Sequence, residues 1–178
     1  MLSEWAWDAT SDMTTQSVFA LSGIDNSIAT KIAKDRNYDN CMMTGPVMEG
    51  TGKHTISMKL GQGDVEDTDM YCGVVRDGVA CNKDHANRGS TDAWYIEGSR
   101  GSLWGNGKQG DDGAGEINEG QVLTMQLDLD AGTLKFWVDG KPHGPGWTSG
   151  VTGRLRWATS IFHEGNSVQI VRTPLELQ

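Results

Sequence analysis

The sequence predicts an all-β protein, an antiparallel β-sandwich of two sheets with little helix. Three observations lead to this fold class. Apolar residues recur with a period of two along most of the chain, as in strands with one buried face. The 24 glycines fall at short intervals, which is typical of a chain with many turns. No helical pattern longer than about ten residues is convincing. Many short strands separated by turns favour a sandwich.

The clearest single strand is predicted over residues 53–60. Ile56, Met58 and Leu60 fall on one face, and polar or basic residues alternate with them on the other. This alternation indicates a strand with one buried face.

A β-hairpin is predicted over residues 122–140, where two alternating runs are separated by turn residues. Asp130 and Gly132 are expected to set the first turn, and Asp139 and Gly140 form a second one shortly after. The side chains expected to face the core are Leu123, Met125, Leu127, Leu129, Leu134, Phe136 and Val138.

Shorter or less regular strands complete the expected sandwich. They are predicted at residues 70–76, 94–96, 155–161 and 167–171, and near 18–21, 28–32 and 41–43. The connections at 61–69, 82–92 and 105–115 are glycine-rich or acidic, and the last is predicted to be a flexible loop. Trp94 is expected in the core, and Trp5 and Trp7 are expected to seal the sandwich edge.

The composition and the net charge limit which partners and which cellular location are expected. The formal net charge of -9 repels polyanions, so neither nucleic acid nor an anionic membrane is expected as a partner. No apolar run approaches the roughly 20 residues of a membrane span, and the first residues lack a signal-peptide pattern. The three scattered cysteines do not predict a disulfide framework. We expect one domain over residues 1–178, monomeric and cytoplasmic, without cofactor or metal.

Two motifs suggest chemistry but fit poorly. Gly105, Gly107 and Gly110 match a dinucleotide fingerprint as a string, but acidic and glycine residues follow where a helix should begin. Asp64 and Glu66 have the alternate spacing of glucanase carboxylates, which must lie about 5 Å apart in a retaining glycosidase. Thr68 stands where a third carboxylate would continue the alternation, so a solvated loop is favoured.

Metal and nucleophile patterns are also incomplete. Cys81 and His85 provide at most half of a structural zinc site. Asp128, Asp130 and Asp139 are oxygen ligands of the kind calcium takes, but they depart from the EF-hand pattern, and a role as hairpin turn residues is favoured. The sequence has no nucleophile elbow of the form Gly-x-Ser-x-Gly. No enzyme signature is therefore predicted.

Five blocks in the right order resemble the SPRY domain family. The most specific block spans residues 120–140 and is similar to the family's "gdvIgvlLDldaGtLsFykNG" segment. The other blocks lie at residues 50–59, 70–77, 93–96 and 155–161. This resemblance implies a bent, concanavalin A-like sandwich without catalytic chemistry, which binds peptides or proteins through variable loops at one end, in some members as an adaptor for substrate recognition.

The resemblance also implies a ligand-binding face. Matching the blocks places on it, together with their neighbours along the chain, Tyr71, Glu97, Ser99, Arg100, Trp104, Phe162 and His163. Trp104 could equally be a packing residue. Two other classes of function remain open: a carbohydrate-binding or glucan-hydrolysing sandwich, suggested by the acidic loop and the 7 tryptophans, and a self-assembling structural domain.

Overall fold

The computed structural model describes residues 4–9, 17–65, 67–86 and 89–171. This part of the chain contains thirteen strands and a single-turn 3-10 helix, Ile24–Asn26, between the first two strands. The strands are β1 (Phe19–Ser22), β2 (Ile28–Lys31), β3 (Met42–Met43), β4 (Lys53–Gly61), β5 (Met70–Arg76), β6 (Ala93–Glu97), β7 (Leu103–Gly105), β8 (Lys108–Asp111), β9 (Val122–Asp128), β10 (Thr133–Val138), β11 (Lys141–Pro142), β12 (Leu155–Ile161) and β13 (Ser167–Val171).

The strands form two antiparallel sheets. The seven-stranded sheet has the order β1-β2-β13-β4-β9-β10-β11, and the six-stranded sheet has the order β3-β12-β5-β6-β7-β8. Every strand pair is antiparallel. The predicted all-β sandwich is therefore confirmed. Since strands distant in the sequence pair with each other, the outer face of each sheet collects residues from well-separated parts of the chain.

The main core lies between the sheets and follows the predicted alternation. Ile56, Met58 and Leu60 of β4 are at most 1% exposed, and Trp94 of β6 belongs to the same cluster. Six of the seven hairpin side chains predicted to face the core are buried, and Leu129 packs against them in part. Burying a side chain of this size contributes about 1.5 to 3 kcal/mol.

The two predicted turns of the hairpin are present, with one change of role. Asp128, not Asp130, holds the first turn, because its Oδ1 accepts hydrogen bonds from the backbone N–H groups of Asp130 and Ala131 at 3.1 and 2.9 Å. Asp130 instead accepts from the Gly52 N–H at 3.1 Å. In the second turn Asp139 takes the left-handed conformation, with φ 49°, a region to which asparagine and aspartate are better suited than most residues.

The tryptophans near the start of the chain close the sandwich, as predicted. Trp5 donates its indole N–H to the Thr55 carbonyl of β4 and packs edge-on against Trp157 of β12. Trp7 is 2% exposed and forms an isolated bridge with Thr44, next to the edge strand β3. The segment therefore contacts both sheets, and on the six-stranded sheet it lies beside the edge strand β3.

The prediction of a flexible loop over residues 105–115 is wrong for its first half. Strand β8 pairs with β7 at the edge of the six-stranded sheet. Asn106 and Gly107 connect the two strands and both have positive φ, 39° and 91°. Two consecutive left-handed residues are the geometry of a tight hairpin turn. The polar composition of β8 concealed it, because an edge strand exposed to solvent has little apolar alternation to display.

Candidate functional site

The outer face of the six-stranded sheet carries a second cluster of buried residues, separate from the main core. Tyr71 of β5 lies directly opposite Glu97 of β6, and Tyr95 of β6 lies opposite Trp104 of β7. Residues paired in this way project on the same side of a sheet. In β5, the residues on either side of Tyr71, Met70 and Cys72, point into the main core instead.

Five aromatic rings meet on this face around Tyr71. Its ring centroid lies 4.2 Å from that of Tyr38 and 5.8 Å from those of Tyr95 and Trp104, and Phe162 lies 4.9 Å from Tyr38. Tyr71 and Tyr95 are buried, whereas Tyr38, Trp104 and Phe162 are half-buried. We call these five residues the aromatic platform. Its centre is a fixed part of the sheet, and three of its rings are open to solvent.

Two carboxylates border the aromatic platform, and each accepts a hydrogen bond from one of its rings. The Tyr38 hydroxyl donates to Asp69, and the Trp104 indole N–H donates to Glu97 at 3.2 Å. Glu97 is only 7% exposed, and this burial raises the pKa of its carboxyl. The pKa of the Tyr71 hydroxyl is also raised, first by burial and then by the charges of Glu97 and Asp69.

A buried lysine holds the loops on which Tyr38 and Phe162 stand. Lys31 is 1% exposed, and its ammonium group donates to the carbonyls of Asn37 and Phe162, each at 3.0 Å, and lies 2.6 Å from Asp35 Oδ1. A buried charge is tolerated when its donors are satisfied in this way. Lys31 thereby ties the segment before Tyr38 to the loop after β12.

His163 extends the site away from the sheet. Its ring packs edge-on against Phe162 at 4.8 Å, and its Nε2 lies 3.0 Å from a carboxylate oxygen of Asp67. It also borders a cleft of about 360 Å³ whose lining carries both signs of charge. The lining residues are Lys34, Arg36, Asp64, Val65, His163, Glu164 and Gly165.

The structure brings together most of the residues that the resemblance singled out. Tyr71, Glu97, Trp104 and Phe162 lie within one cluster on the outer face. The other three are peripheral: Ser99 and Arg100 follow Glu97 in the turn after β6 and influence its carboxyl, and His163 turns toward the cleft. The cluster belongs to strands β5, β6 and β7 as much as to loops. Trp104 packs on Tyr71 and is half-buried, so its packing role is observed and its role in binding stays a prediction.

Three residues of the site were not anticipated from the sequence: Tyr38, Asp69 and Tyr95. Tyr38 lies in a stretch without apolar alternation. Tyr95 and Asp69 were within predicted elements, but nothing marked them apart from their neighbours. Only Tyr95 could have been placed on the outer face from the sequence, because the period of two in a strand puts it on the face opposite to the core residue Trp94.

The acidic and metal motifs do not assemble into a site in the described residues. Asp64 lies in the loop between β4 and β5 and not on a strand face, and Glu66 lies outside the described residues. Asp128 and Asp139 stand at opposite ends of the β9–β10 hairpin. His85 Nε2 is 2.7 Å from the Ala80 carbonyl. Over the described ranges, no group of three His, Cys, Asp or Glu residues could hold a metal ion.

No helix among the residues that the structure covers is long and apolar enough to cross a membrane. The glycines of the dinucleotide-like string lie in or beside the β7–β8 hairpin. A phosphate site of that type requires a helix after the glycines, and β8 occupies that place.

Several solved structures share this sandwich. The SPRY domain of human HERC1 superposes with a TM-score of 0.70 at 17% identity, over 89% of this chain and 94% of that chain. The TRIM65 PSpry domain gives a TM-score of 0.72 at 15% identity, over 95% and 90%. The stonustoxin structure gives 0.71 at 18% identity, over 95% of this chain and 27% of that chain. These likenesses show that the chain shares the β-sandwich fold of these structures.

A family model that matches the amino-acid sequence assigns the chain to a family. The family model of the SPRY domain matches residues 53–172, which is more than half of the chain, and the protein belongs to the SPRY domain family. Members of this family are generally protein-interaction modules without catalytic activity. No curated protein matches the chain.

Proposed function

We propose that this chain binds a peptide, or an exposed loop of a partner protein, through the aromatic platform. The observation that carries the proposal is the arrangement around Tyr71, in which one half-buried ring on the sheet, Trp104, and two on adjoining loops, Tyr38 and Phe162, form one cluster. Aromatic side chains held in fixed positions are the residues that contribute most to binding energy at protein interfaces. Because the strands fix Tyr71 and Trp104 before a ligand arrives, little conformational entropy is lost there on binding.

The neighbourhood of the platform supports a ligand longer than one residue. Phe162 and His163 join the platform to the cleft of about 360 Å³. An extended peptide rises about 3.3 Å per residue, so a short segment could place one side chain on the platform and another in the cleft. In a larger protein or complex, such a module would serve as an adaptor that selects substrates.

The protein is proposed to act as a monomer in the cytoplasm. Cys41, Cys72 and Cys81 are free thiols and all are buried, which agrees with a reducing compartment.

A carbohydrate ligand is less well supported. Sugar-binding sandwiches stack exposed indoles on sugar rings, but six of the seven tryptophans here are buried. Trp104 is the exception, and its N–H is already directed to Glu97. The acidic loop does not line up its carboxylates on a strand. A glycan array with a hydrolysis assay decides the matter, since a robust signal in either would favour the sugar hypothesis.

The proposal is tested by selecting random peptides displayed on phage against the immobilised protein. Peptides enriched on the wild type are then measured against Trp104→Ala, Phe162→Ala and Asp128→Asn. The first two substitutions remove half-exposed rings of the platform, whereas Asp128 lies at a hairpin turn. We expect binding to fall about tenfold or more with either alanine substitution and to be unchanged with Asp128→Asn. Peptides that bind all four proteins equally would show that the platform is not the binding surface.

A further inference from the structure

Among the residues that the structure describes, the two carboxylates beside the aromatic platform have no basic partner. In the part of the chain that the structure describes, no lysine, arginine or histidine nitrogen lies within 4.0 Å of Asp69 or Glu97. Their hydrogen-bond donors are neutral groups: the Tyr38 hydroxyl bonds to Asp69, and the Trp104 indole and the Ser99 side chain bond to Glu97. The positive charge of Arg100 acts on the Glu97 carboxyl, but Arg100 is exposed to solvent.

This arrangement leaves a negative charge in a poorly solvated position. Glu97 is 7% exposed and packed among aromatic rings. A carboxylate removed from water without a counter-ion is unfavourable in free energy. Tyr71 lies between Glu97 and Asp69, and its hydroxyl is influenced by both charges and also by Asp84. The platform is therefore a locus of negative potential as well as an apolar surface.

Aromatic rings add to the attraction for a cation. The faces of tryptophan and tyrosine carry negative charge density and hold a guanidinium or ammonium group within about 6 Å of the ring centroid. Tyr38 and Trp104 flank Tyr71, are half exposed, and each donates a hydrogen bond to a carboxylate. Arginine fits better than lysine, because its planar guanidinium group stacks on rings and also forms paired hydrogen bonds with a carboxylate.

We propose that the platform binds an arginine side chain of the partner peptide, with the guanidinium group stacked on Trp104 or Tyr38 and hydrogen-bonded to Glu97 and Asp69. This inference rests on the proposed function and specifies the chemistry of its ligand. The net charge of -9 favours the approach of a basic peptide over distances of several ångströms. Lysine takes the same place less tightly, and an acidic anchor is repelled.

The experiment compares fluorescein-labelled peptide pools that are random except at one central position. That position holds arginine, citrulline, norleucine or glutamate. Citrulline is the matched control, because it keeps the length and planarity of arginine without its charge. Affinities are measured by fluorescence anisotropy at low salt and again at physiological salt. The wild-type protein is expected to bind the arginine pool about tenfold more tightly than the citrulline pool, with a smaller difference at the higher salt concentration.

Variants of the protein test which residues cause the preference for the arginine pool over the citrulline pool. Glu97→Gln with Asp69→Asn should abolish the preference for arginine over citrulline. Arg100→Gln removes the neighbouring cation and should increase the affinity for the arginine pool. Asp128→Asn changes the charge at a distant turn and should leave the preference intact. Circular dichroism melting of each variant verifies that it is folded.

The results of these experiments distinguish a failure of the arginine inference from a failure of the proposed peptide-binding function. If the wild type binds arginine and citrulline pools equally, or if the double variant keeps the preference, the arginine inference is wrong. If in that case binding still requires Trp104, the proposed peptide-binding function stands. If no pool binds the wild type better than it binds Trp104→Ala, both the function and the inference are overturned.

Discussion

The indole N–H of Trp104 donates to the Glu97 carboxylate at 3.2 Å, and Glu97 in turn lies opposite Tyr71 in the strand register. One carboxylate therefore joins the edge hairpin β7–β8 to the centre of the six-stranded sheet. The same carboxylate is poorly solvated. Its charge is expected to favour the proposed arginine ligand and to lower the stability of the folded protein.

We predict that Glu97→Gln makes the protein more stable at neutral pH. The pKa of Glu97 is higher in the folded protein than its ordinary value, and burial is the first cause. The folded state then binds the Glu97 proton more tightly than the unfolded state does. The stability of the protein therefore falls as pH rises from the unfolded-state pKa to the folded-state pKa, and it stays lowered above the folded-state pKa. Glutamine keeps an acceptor for Trp104 without the charge.

The measurement is thermal unfolding of both proteins near pH 7.5 and near pH 4. Glu97→Gln should melt at a higher temperature near pH 7.5, and the difference should shrink near pH 4, where the wild-type carboxyl is protonated. A variant that is less stable than the wild type by the same amount at both pH values would exclude a desolvation penalty on the ionised carboxylate.

Lys31→Met is expected to destabilise the protein and to weaken ligand binding. The substitution leaves the Asn37 and Phe162 carbonyls without their common donor, and each buried acceptor without a partner costs about 1 to 3 kcal/mol. The segment carrying Tyr38 and the loop carrying Phe162 would then move independently. Chemical denaturation measures the loss of stability, and hydrogen exchange at residues 32–40 measures the loosening. Unchanged exchange there would contradict the positioning role of Lys31.

Phe136→Ala tests the main core. Phe136 is 2% exposed in the centre of the β9–β10 hairpin, and its removal leaves a cavity that costs about 3 to 5 kcal/mol. We expect the variant to unfold at a much lower denaturant concentration or to aggregate. A soluble variant with an unaltered melting temperature would refute the core assignment. Asp128→Asn serves as the comparison and should leave partner binding unchanged.

The far end of the six-stranded sheet should respond to acid. Arg156 and Arg154 hydrogen-bond to Asp77 at 2.7 and 3.2 Å, and chiefly the bond from Arg156 holds the pKa of Asp77 below its ordinary value of 3.8. An acid with a lowered pKa stabilises the folded state above its unfolded pKa, and this contribution is lost as pH falls through the folded pKa. Asp77→Asn should therefore be less stable than the wild type at neutral pH, with a smaller deficit near pH 3. Urea denaturation at the two pH values measures both differences, and an equal deficit at both would exclude an ionic contribution.

The Cys72 thiol should be unreactive in the folded protein. Complete burial raises its pKa to about 12, and the thiolate is the species that alkylates. Iodoacetamide near pH 8 should modify Cys72 only after denaturation, as read by intact and peptide mass spectrometry. Rapid labelling of the native protein would indicate that β5 and β12 separate locally, since Cys72 of β5 is paired with Thr159 of β12 and its Sγ lies 3.7 Å from the Thr159 hydroxyl.

The fold was predictable wherever one face of a strand is buried. The alternation in β4 and in the β9–β10 hairpin follows directly from burial between the sheets. Strand β8 escaped prediction because an exposed edge strand has no buried face to impose a pattern. Its turn residues Asn106 and Gly107 were present in the sequence but were assigned to a flexible loop.

The candidate site was predictable only in part, and for a related reason. Tyr71 stands at a position that a family block fixes within a strand, and Glu97 and Trp104 were reached only as residues that follow the next block along the chain. Tyr38 reaches the site from an irregular segment, and its place depends on contacts more than 30 residues away in the sequence, such as that with Asp69. Lys31 was not anticipated either, because lysine is ordinarily exposed. Its burial depends on carbonyls that only the folded loops provide.

The rings of the aromatic platform come from positions as distant in the chain as Tyr38 and Phe162, and they meet only in the folded protein. A ligand that recognises this grouping binds the folded state and has no counterpart in the unfolded chain. Its binding therefore adds directly to the free energy of unfolding, by about 2.7 kcal/mol at a hundredfold excess over Kd. In a cell, the level of this protein would then rise with the supply of its partner, because the bound fraction is protected from unfolding and proteolysis.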